Sequence, residues 1–445
     1  MQNIGTWLAI AGLPLAFGYL YFYGFWNYCL AIALALVCVG MTLRAAPHWE
    51  LRPTVALAGV LTLTWLTHLV PFVAAAVFLV AVMATGPGDR RSVLMPASTF
   101  VPAAILSLAY LLHTDSGDSP TWTNPVGRAI GLISLHTTIT SFSRWEDAIA
   151  IAIAAVLLWL AWMARRAVPA SGAAQAGTAA GVATLAVTSL VLIVPTSFGI
   201  DFGLIDERLA VFPVFFGLLW LAARPPHPRS AQRAAVALVV ATVALAGVRF
   251  SKVSDYDDLA DEYLSADRLV DNHSVFVALR FANLGPDAGR NSSWDPTRHL
   301  ASELAARTHS IDVGHYEAVL DYFTARFREP NLRRGVDPSL TGLDRMPSAA
   351  ILPAFSSGCR NVVVPHRDGA VLVYTGHAVK MPSDAYMERH RITYVLLIGS
   401  SKATGEARRA YEAARRDLAC EYERVGATSP TGLVEVWRLK ESAAR

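Results

Sequence analysis

The ionisable side chains that could do chemistry in the first half of this chain are few, and they fall in the connections between long apolar runs. Arg208 stands in IDERLAVFPVFF, behind two acids and ahead of an apolar run. Its guanidinium could close a salt bridge with Asp206 or Glu207, or clamp a lipid-linked phosphate at headgroup level, whose oxygens it matches two at a time. Arg128 and Arg144 offer the same group from one long connection. His68, in LTHLVPF, and His113 stand at run ends, where an imidazole either caps a helix or meets a headgroup. Asp115, Asp118, Asp201 and Asp206 complete the set. Ionisable groups at membrane depth are costly, so each is a functional candidate. No Walker loop, HExxH, CxxC or GxSxG occurs, so ATP hydrolysis and motif-defined zinc chemistry lack support. No metal site is read from the sequence, and His299, His309 and His315 read as surface residues.

The elements that must hold these residues are helices in lipid. The first lysine is Lys252, and about nine apolar runs of membrane-spanning length precede it, near 5–21, 24–43, 53–69, 71–85, 93–112, 147–164, 178–197, 207–223 and 234–250. An apolar share of 53% is too high for a soluble chain of this size. The expected fold is a polytopic α-helical membrane protein with about nine transmembrane helices over 1–250, followed by a C-terminal α/β extracytoplasmic domain over 251–445. Charged residues are nearly absent within the runs, which argues against an ion-coupled pump. The positive charge lies between runs and not on one polar face, so no nucleic-acid partner is indicated; the bilayer is the partner. Met1-Gln2-Asn3 lacks the basic start of a secretory signal, so the first helices are expected to direct insertion.

Orientation follows from the arginines. Alternate connections carry Arg44, Arg52, Arg90, Arg91, Arg165, Arg166, Arg224, Arg229 and Arg233; the opposite set carries only Arg128, Arg144 and Arg208. Nine against three predicts a cytoplasmic N-terminus and an outward C-terminal domain. Cys29 and Cys38 read as packing residues, and Cys359 and Cys420 could form one disulfide if their half meets an oxidising compartment. Beyond Phe250 the pattern becomes mixed. DYDDLADEYLSADR reads as a helix, HSVFVALRF and ITYVLLIG as strands, 402–418 as a helix, and CEYERV with GLVEVWRL as a closing strand pair around ATSPT.

The stretch PLAFGYLYFYGFWNYCLAIALAL, with LTHLVPF, FGLIDERLAVFPVFF and HYEAVLDYF, resembles the downstream part of bacterial multi-pass proteins related to the GT-C glycosyltransferases. That resemblance implies a protein of the bacterial inner membrane that transfers sugar from a polyprenyl-phosphate donor on the outer face. It also implies an acidic residue in the first external loop, where a carboxylate deprotonates an acceptor hydroxyl or orients a divalent metal. This chain has Leu20-Tyr21-Phe22-Tyr23 there and no acid. Either the chain begins partway through the family pattern, or the chemistry is lost or moved to Asp115, Asp118, Asp201 or Asp206. No catalytic residue is therefore assigned and no cofactor identified, although a divalent metal is compatible with these acids. The expectation is a transferase-like protein that handles a polyprenyl-phosphate sugar or an envelope glycolipid, with Arg208, Arg128 or Arg144 on the phosphate and His68 and His113 near the headgroup. The alternative is a non-enzymatic scaffold whose outer domain docks envelope partners.

Overall fold

The computed structural model describes residues 12, 14–15, 21, 26–86, 88, 90–113, 120–169, 173–198, 204–281, 300–312, 363–366, 369–374, 377–380 and 393–440. Contacts divide the chain into two compact units, Met1–Phe250 and Ser251–Arg445.

The first unit is helical: α1 (Trp26–Ala45), α2 (Leu51–Thr67), α3 (Leu69–Thr85), α4 (Arg90–Ser98), α5 (Val101–His113), α6 (Pro125–Ile133), α7 (His136–Ile139), α8 (Arg144–Ala164), α9 (Ala174–Ile193), α10 (Ile205–Leu209), α11 (Val211–Ala223) and the portion up to Phe250 of α12 (Pro228–Leu264), whose remainder belongs to the second unit. Helices suit such sequences because every backbone polar group is answered within the segment. The threonines follow suit. Thr42, Thr62, Thr64, Thr184 and Thr242 each donate a hydroxyl to the carbonyl four residues earlier, at 2.7–2.8 Å.

Four helices, α1, α8, α9 and α12, are long and apolar enough to cross a membrane, and a fifth span results if α4 and α5, bent by 41° at their break, act as one. Among the described residues the nine runs expected from the sequence therefore reduce to four or five spans. The apolar helices α2 and α3 have only 17 residues each, α11 has 13, and most of the first run lies outside the described residues. The large side chains that remain exposed, among them Leu30, Leu63, Ile105, Leu158 and Val240, sit on these helices. Extensive exposed apolar surface of this kind marks contact with lipid. Small residues do the inward packing. Gly177 and Gly181 form a GxxxG stripe on α9 that lets α11 approach closely: a Cβ at Gly177 would lie 2.7 Å from the Cβ of Ala223, and one at Gly181 would lie 3.2 Å from Trp220 Cδ1.

The second unit centres on a five-stranded sheet of order β4-β3-β8-β10-β9, where β3 is Val275–Arg280, β4 Ile311–Asp312, β8 Tyr394–Ile398, β9 Tyr422–Ala427 and β10 Val434–Leu439. A three-stranded antiparallel sheet, β5 (Val363–His366), β6 (Gly369–Tyr374) and β7 (His377–Lys380), stands beside it in the chain. In the larger sheet β3 runs parallel to β4 and β8, whereas β10 is antiparallel to both its neighbours. A central strand covered on both faces needs apolar residues at every position, which is the reason FVAL and YVLLI read as unbroken apolar runs. Phe276, Ala278, Leu396 and Val436 pack with Tyr263, Leu264 and α13 (Leu300–Arg307). Val277, Leu279, Val395 and Leu397 pack on the opposite side with Tyr411, Ala414 and Leu418 of α14 (Gly405–Glu421).

Two buried acids tie this unit together. Glu262 accepts the backbone N–H groups of Thr431 and Leu433 at 3.0 and 2.9 Å, fixing the turn between β9 and β10. Glu435 accepts from Tyr411 Oη at 2.6 Å and Trp437 Nε1 at 3.0 Å, and faces Arg415 and Arg424. Burial and the bond to Glu435 raise the Tyr411 phenol above its ordinary value. One element departs from expectation. The helices expected at 234–250 and 255–268 are a single 37-residue helix, α12, because no Gly–Pro break separates them and the acids of DYDDLADEYL are accommodated on its polar stretch.

Gly177→Leu is expected to lower the thermal unfolding temperature in detergent, because the new side chain must displace Ala223 in a packed interface, at a cost of about 1–3 kcal/mol. Gly217→Ala, where a Cβ meets nothing within 4 Å, is expected to leave stability unchanged or raise it by up to about 1 kcal/mol.

Candidate functional site

The polar side chains of the first unit converge at one end of its helices. The last four carbonyls of a helix lack partners within the helix, and at the C-terminus of α9 a guanidinium supplies them. Arg128 of α6 donates from Nη1 to Val191 O at 3.1 Å and also to Val194 O. Nη2 donates to Thr196 Oγ1 at 2.7 Å, and Nε to Thr123 Oγ1 at 2.8 Å. Trp122 Nε1 approaches Ile193 O at 3.4 Å. A short ladder between β1 (Pro120–Thr121) and β2 (Ser197–Phe198) aligns the two connections. A cation also suits the negative end of the helix dipole. Asp206 of α10 completes the arrangement with Oδ2 3.0 Å from Arg128 Nε; both side chains are buried, at 4% and 7% exposure.

That pair fixes α10, and α10 presents the next two residues. Leu204 precedes it at φ 57°, a left-handed conformation that a branched side chain adopts only when its surroundings impose it. Ile205 N donates to Thr196 O at 3.0 Å, and Tyr28 Oη, from the start of α1, donates to the carbonyl of Arg208 at 2.5 Å. The His68 ring meets Tyr28 edge-on with centroids 5.2 Å apart, and the Arg208 guanidinium interacts electrostatically with both rings. His68 caps α3 by accepting Val70 N–H at Nδ1, 3.2 Å away, which assigns the ring proton to Nε2 in the neutral form. Glu207 faces elsewhere. It lines a cavity of about 300 Å³ bounded by Leu15, Tyr21, Tyr28, Cys29, Ile32, Ala33, Leu36, Thr138, Val211 and Phe215.

A second buried pair lies at the same end. Glu146 near the start of α8 is fully buried, with Oε1 3.5 Å from Arg249 Nε of α12, and its Oε2 accepts Ser141 N–H at 2.5 Å. Arg249 also donates to Ile139 O. Asp147 accepts from Thr140 Oγ1 at 2.9 Å and contacts His136 Nδ1 at 2.7 Å. At the far end of the 21-residue α8, about 30 Å away, Arg165 stacks over Trp162. Arg224 stacks over Trp220 in the same manner at the end of α11.

The structure thus brings together Arg128, Asp206, Arg208 and His68 from the sequence candidates. Arg128 is committed to helix-end carbonyls and Asp206. Arg144 is exposed at the first residue of α8, apart from this group. His113 ends α5, but its side chain lies outside the described residues, as do Asp115, Asp118, Asp201 and Cys359 and the side chain of Cys420. Among the described residues no three His, Cys, Asp or Glu side chains converge as a metal site would require. Sequence reasoning overlooked Glu207 and Tyr28 as site residues, and Arg249 as an ion-pair partner. The available signal for Glu207 is its place beside Arg208 in IDERL, among the ionisable residues of that connection. No protein-family model matches the chain, and no curated protein or solved structure shows significant similarity to it.

Arg128→Met is expected to destabilise the protein by about 3–5 kcal/mol, because Asp206 is left buried without its counter-charge. Arg128→Met with Asp206→Leu should recover only part of that loss, since the α9 carbonyls stay unanswered. Chemical denaturation in detergent, followed by tryptophan fluorescence, reads both.

Proposed function

We propose that this chain is a GT-C-like protein of the bacterial inner membrane that binds a polyprenyl-phosphate sugar or a related envelope glycolipid at the end of the bundle holding Arg208. The supporting observation is the grouping of Arg208 with His68 and Tyr28 beside the cavity at a helix end. A guanidinium there meets phosphate oxygens through paired N–H bonds, and His68 Nε2–H offers one further donor. Arg128, already answering α9, stabilises the platform instead of touching ligand. The family reading itself rests on the motifs quoted from the sequence. The charge asymmetry of the connections supports a cytoplasmic N-terminus with this end outward. The short apolar helices α2, α3 and α11 would then complete the passage count toward nine.

A second reading, a docking scaffold without transfer activity, draws on the separate two-sided core of the C-terminal unit. It expects substitutions at Arg208 and Glu207 to leave function unchanged.

Arg208→Ala is expected to weaken binding of decaprenyl phosphate to the purified full-length protein by about tenfold or more, the loss of one charge-assisted contact. Arg208→Lys should retain part of the affinity as a point charge. Equal affinity of wild type and Arg208→Ala in a scintillation binding assay would remove the phosphate clamp.

A further inference from the structure

We infer that His136 is the general base that takes the proton from an acceptor hydroxyl, with Asp147 as its positioning residue. The inference rests on the transferase reading and supplies the base that the first external loop lacks. Asp147 Oδ1 lies 2.7 Å from His136 Nδ1 and also accepts the hydroxyl of Thr140 at 2.9 Å. An ionised carboxylate only accepts, so the neutral imidazole carries its proton on Nδ1 and keeps a lone pair on Nε2. The ring is 43% exposed, and Nε2 has no hydrogen-bond partner among the described residues. His68 is the reverse case, since its Nδ1 accepts Val70 N–H and its Nε2 is left a donor. One ring is set to donate to a phosphate, the other to receive a proton.

Local structure holds the dyad in place. Asp147 stands in the first turn of α8, where the helix dipole favours a carboxylate. Leu135, at φ 58°, turns the chain into α7 just ahead of His136, a strained conformation of the kind retained where a side chain must be aimed. α7 also gives Thr137 and Thr138 to the cavity that Tyr28 and Glu207 line, so the helix carrying His136 borders the same space as α10, which carries Arg208. In the transfer step the acceptor oxygen bonds to the anomeric carbon of the donor sugar while the bond from that carbon to the phosphate oxygen breaks. The bonding pair leaves with polyprenyl phosphate, whose charge Arg208 meets, and the hydroxyl proton moves to His136 Nε2. Asp147 stabilises the imidazolium that forms, which then returns the proton to water.

Purified full-length protein would be assayed for release of decaprenyl phosphate from decaprenyl-phosphate donors bearing mannose, glucose, galactose or arabinose, with octyl glycosides as acceptors. His136→Ala should lower kcat by about 10²–10⁴-fold at unchanged donor KM and unfolding temperature. Added imidazole should restore part of that rate, which a purely structural role for the ring would not permit. Diethyl pyrocarbonate, followed by peptide mass spectrometry, reads the lone pair without any substrate. Asp147→Asn should slow modification of His136 several-fold, because the asparagine amide donates to Nδ1 and moves the ring proton to Nε2. Unchanged kcat in folded His136→Ala, beside wild-type turnover that Arg208→Ala abolishes, would overturn this inference alone. An equal modification rate in Asp147→Asn would overturn the positioning role. No release by the wild type from any of these donors, with His136 still modified faster than in Asp147→Asn, would overturn the transferase reading instead.

Discussion

A helix that ends inside a packed bundle must find partners for its final carbonyls, and at the end of α9 one guanidinium answers two of them. Arg128 reaches Val191 and Val194 and is itself neutralised by Asp206. Burying either charge without the other would be costly, so the connection carrying α6 is obliged to meet the end of α9 and α10, which lie more than 60 residues further along the chain. The ladder of β1 and β2 and the left-handed Leu204 follow from bringing those connections together. Every candidate ligand contact at this end inherits its position from that bond.

The second pair, Glu146 with Arg249, does for α7, α8 and α12 what Arg128 does for α6, α9 and α10. The opposite end of the bundle is built differently. There Arg165 and Arg224 lie over tryptophan rings, each guanidinium held against an aromatic face. The two ends therefore use the same residue type for different work, buried capping at one and stacking on tryptophan at the other. Counting arginines treats them alike.

Much of the architecture was legible because hydrophobic patterning reports burial directly. The apolar runs within the described residues became helices, ITYVLLIG became the central β8, and CEYERV with GLVEVWRL became β9 and β10. Passage count was harder. Runs such as 53–69 and 71–85 are apolar throughout, but their helices stop at 17 residues around His68, whose extended backbone ends one helix and caps the next. Composition does not encode where an apolar run breaks. The site was half legible. Arg208, Asp206, Arg128 and His68 were found by their type and depth, yet which of them pair depends on contacts across 60 to 180 residues of chain. Arg249 was hidden for a related reason: it lies at the end of an apolar run and looks like a boundary marker, while its partner Glu146 is about a hundred residues away.

The least legible feature is the way α10 separates three consecutive ionisable residues. Successive side chains on a helix diverge by about 100°, so Asp206, Glu207 and Arg208 make different close contacts even though their charges act on one another. Asp206 pairs with Arg128, Arg208 lies within electrostatic reach of Tyr28, His68 and Glu207, and Glu207 lines the cavity. Had Asp206 paired with Arg208, the two charges would cancel locally and Arg128 would stand buried without a counter-ion. Pairing Asp206 with a distant arginine instead keeps an acid and a base adjacent and separately directed.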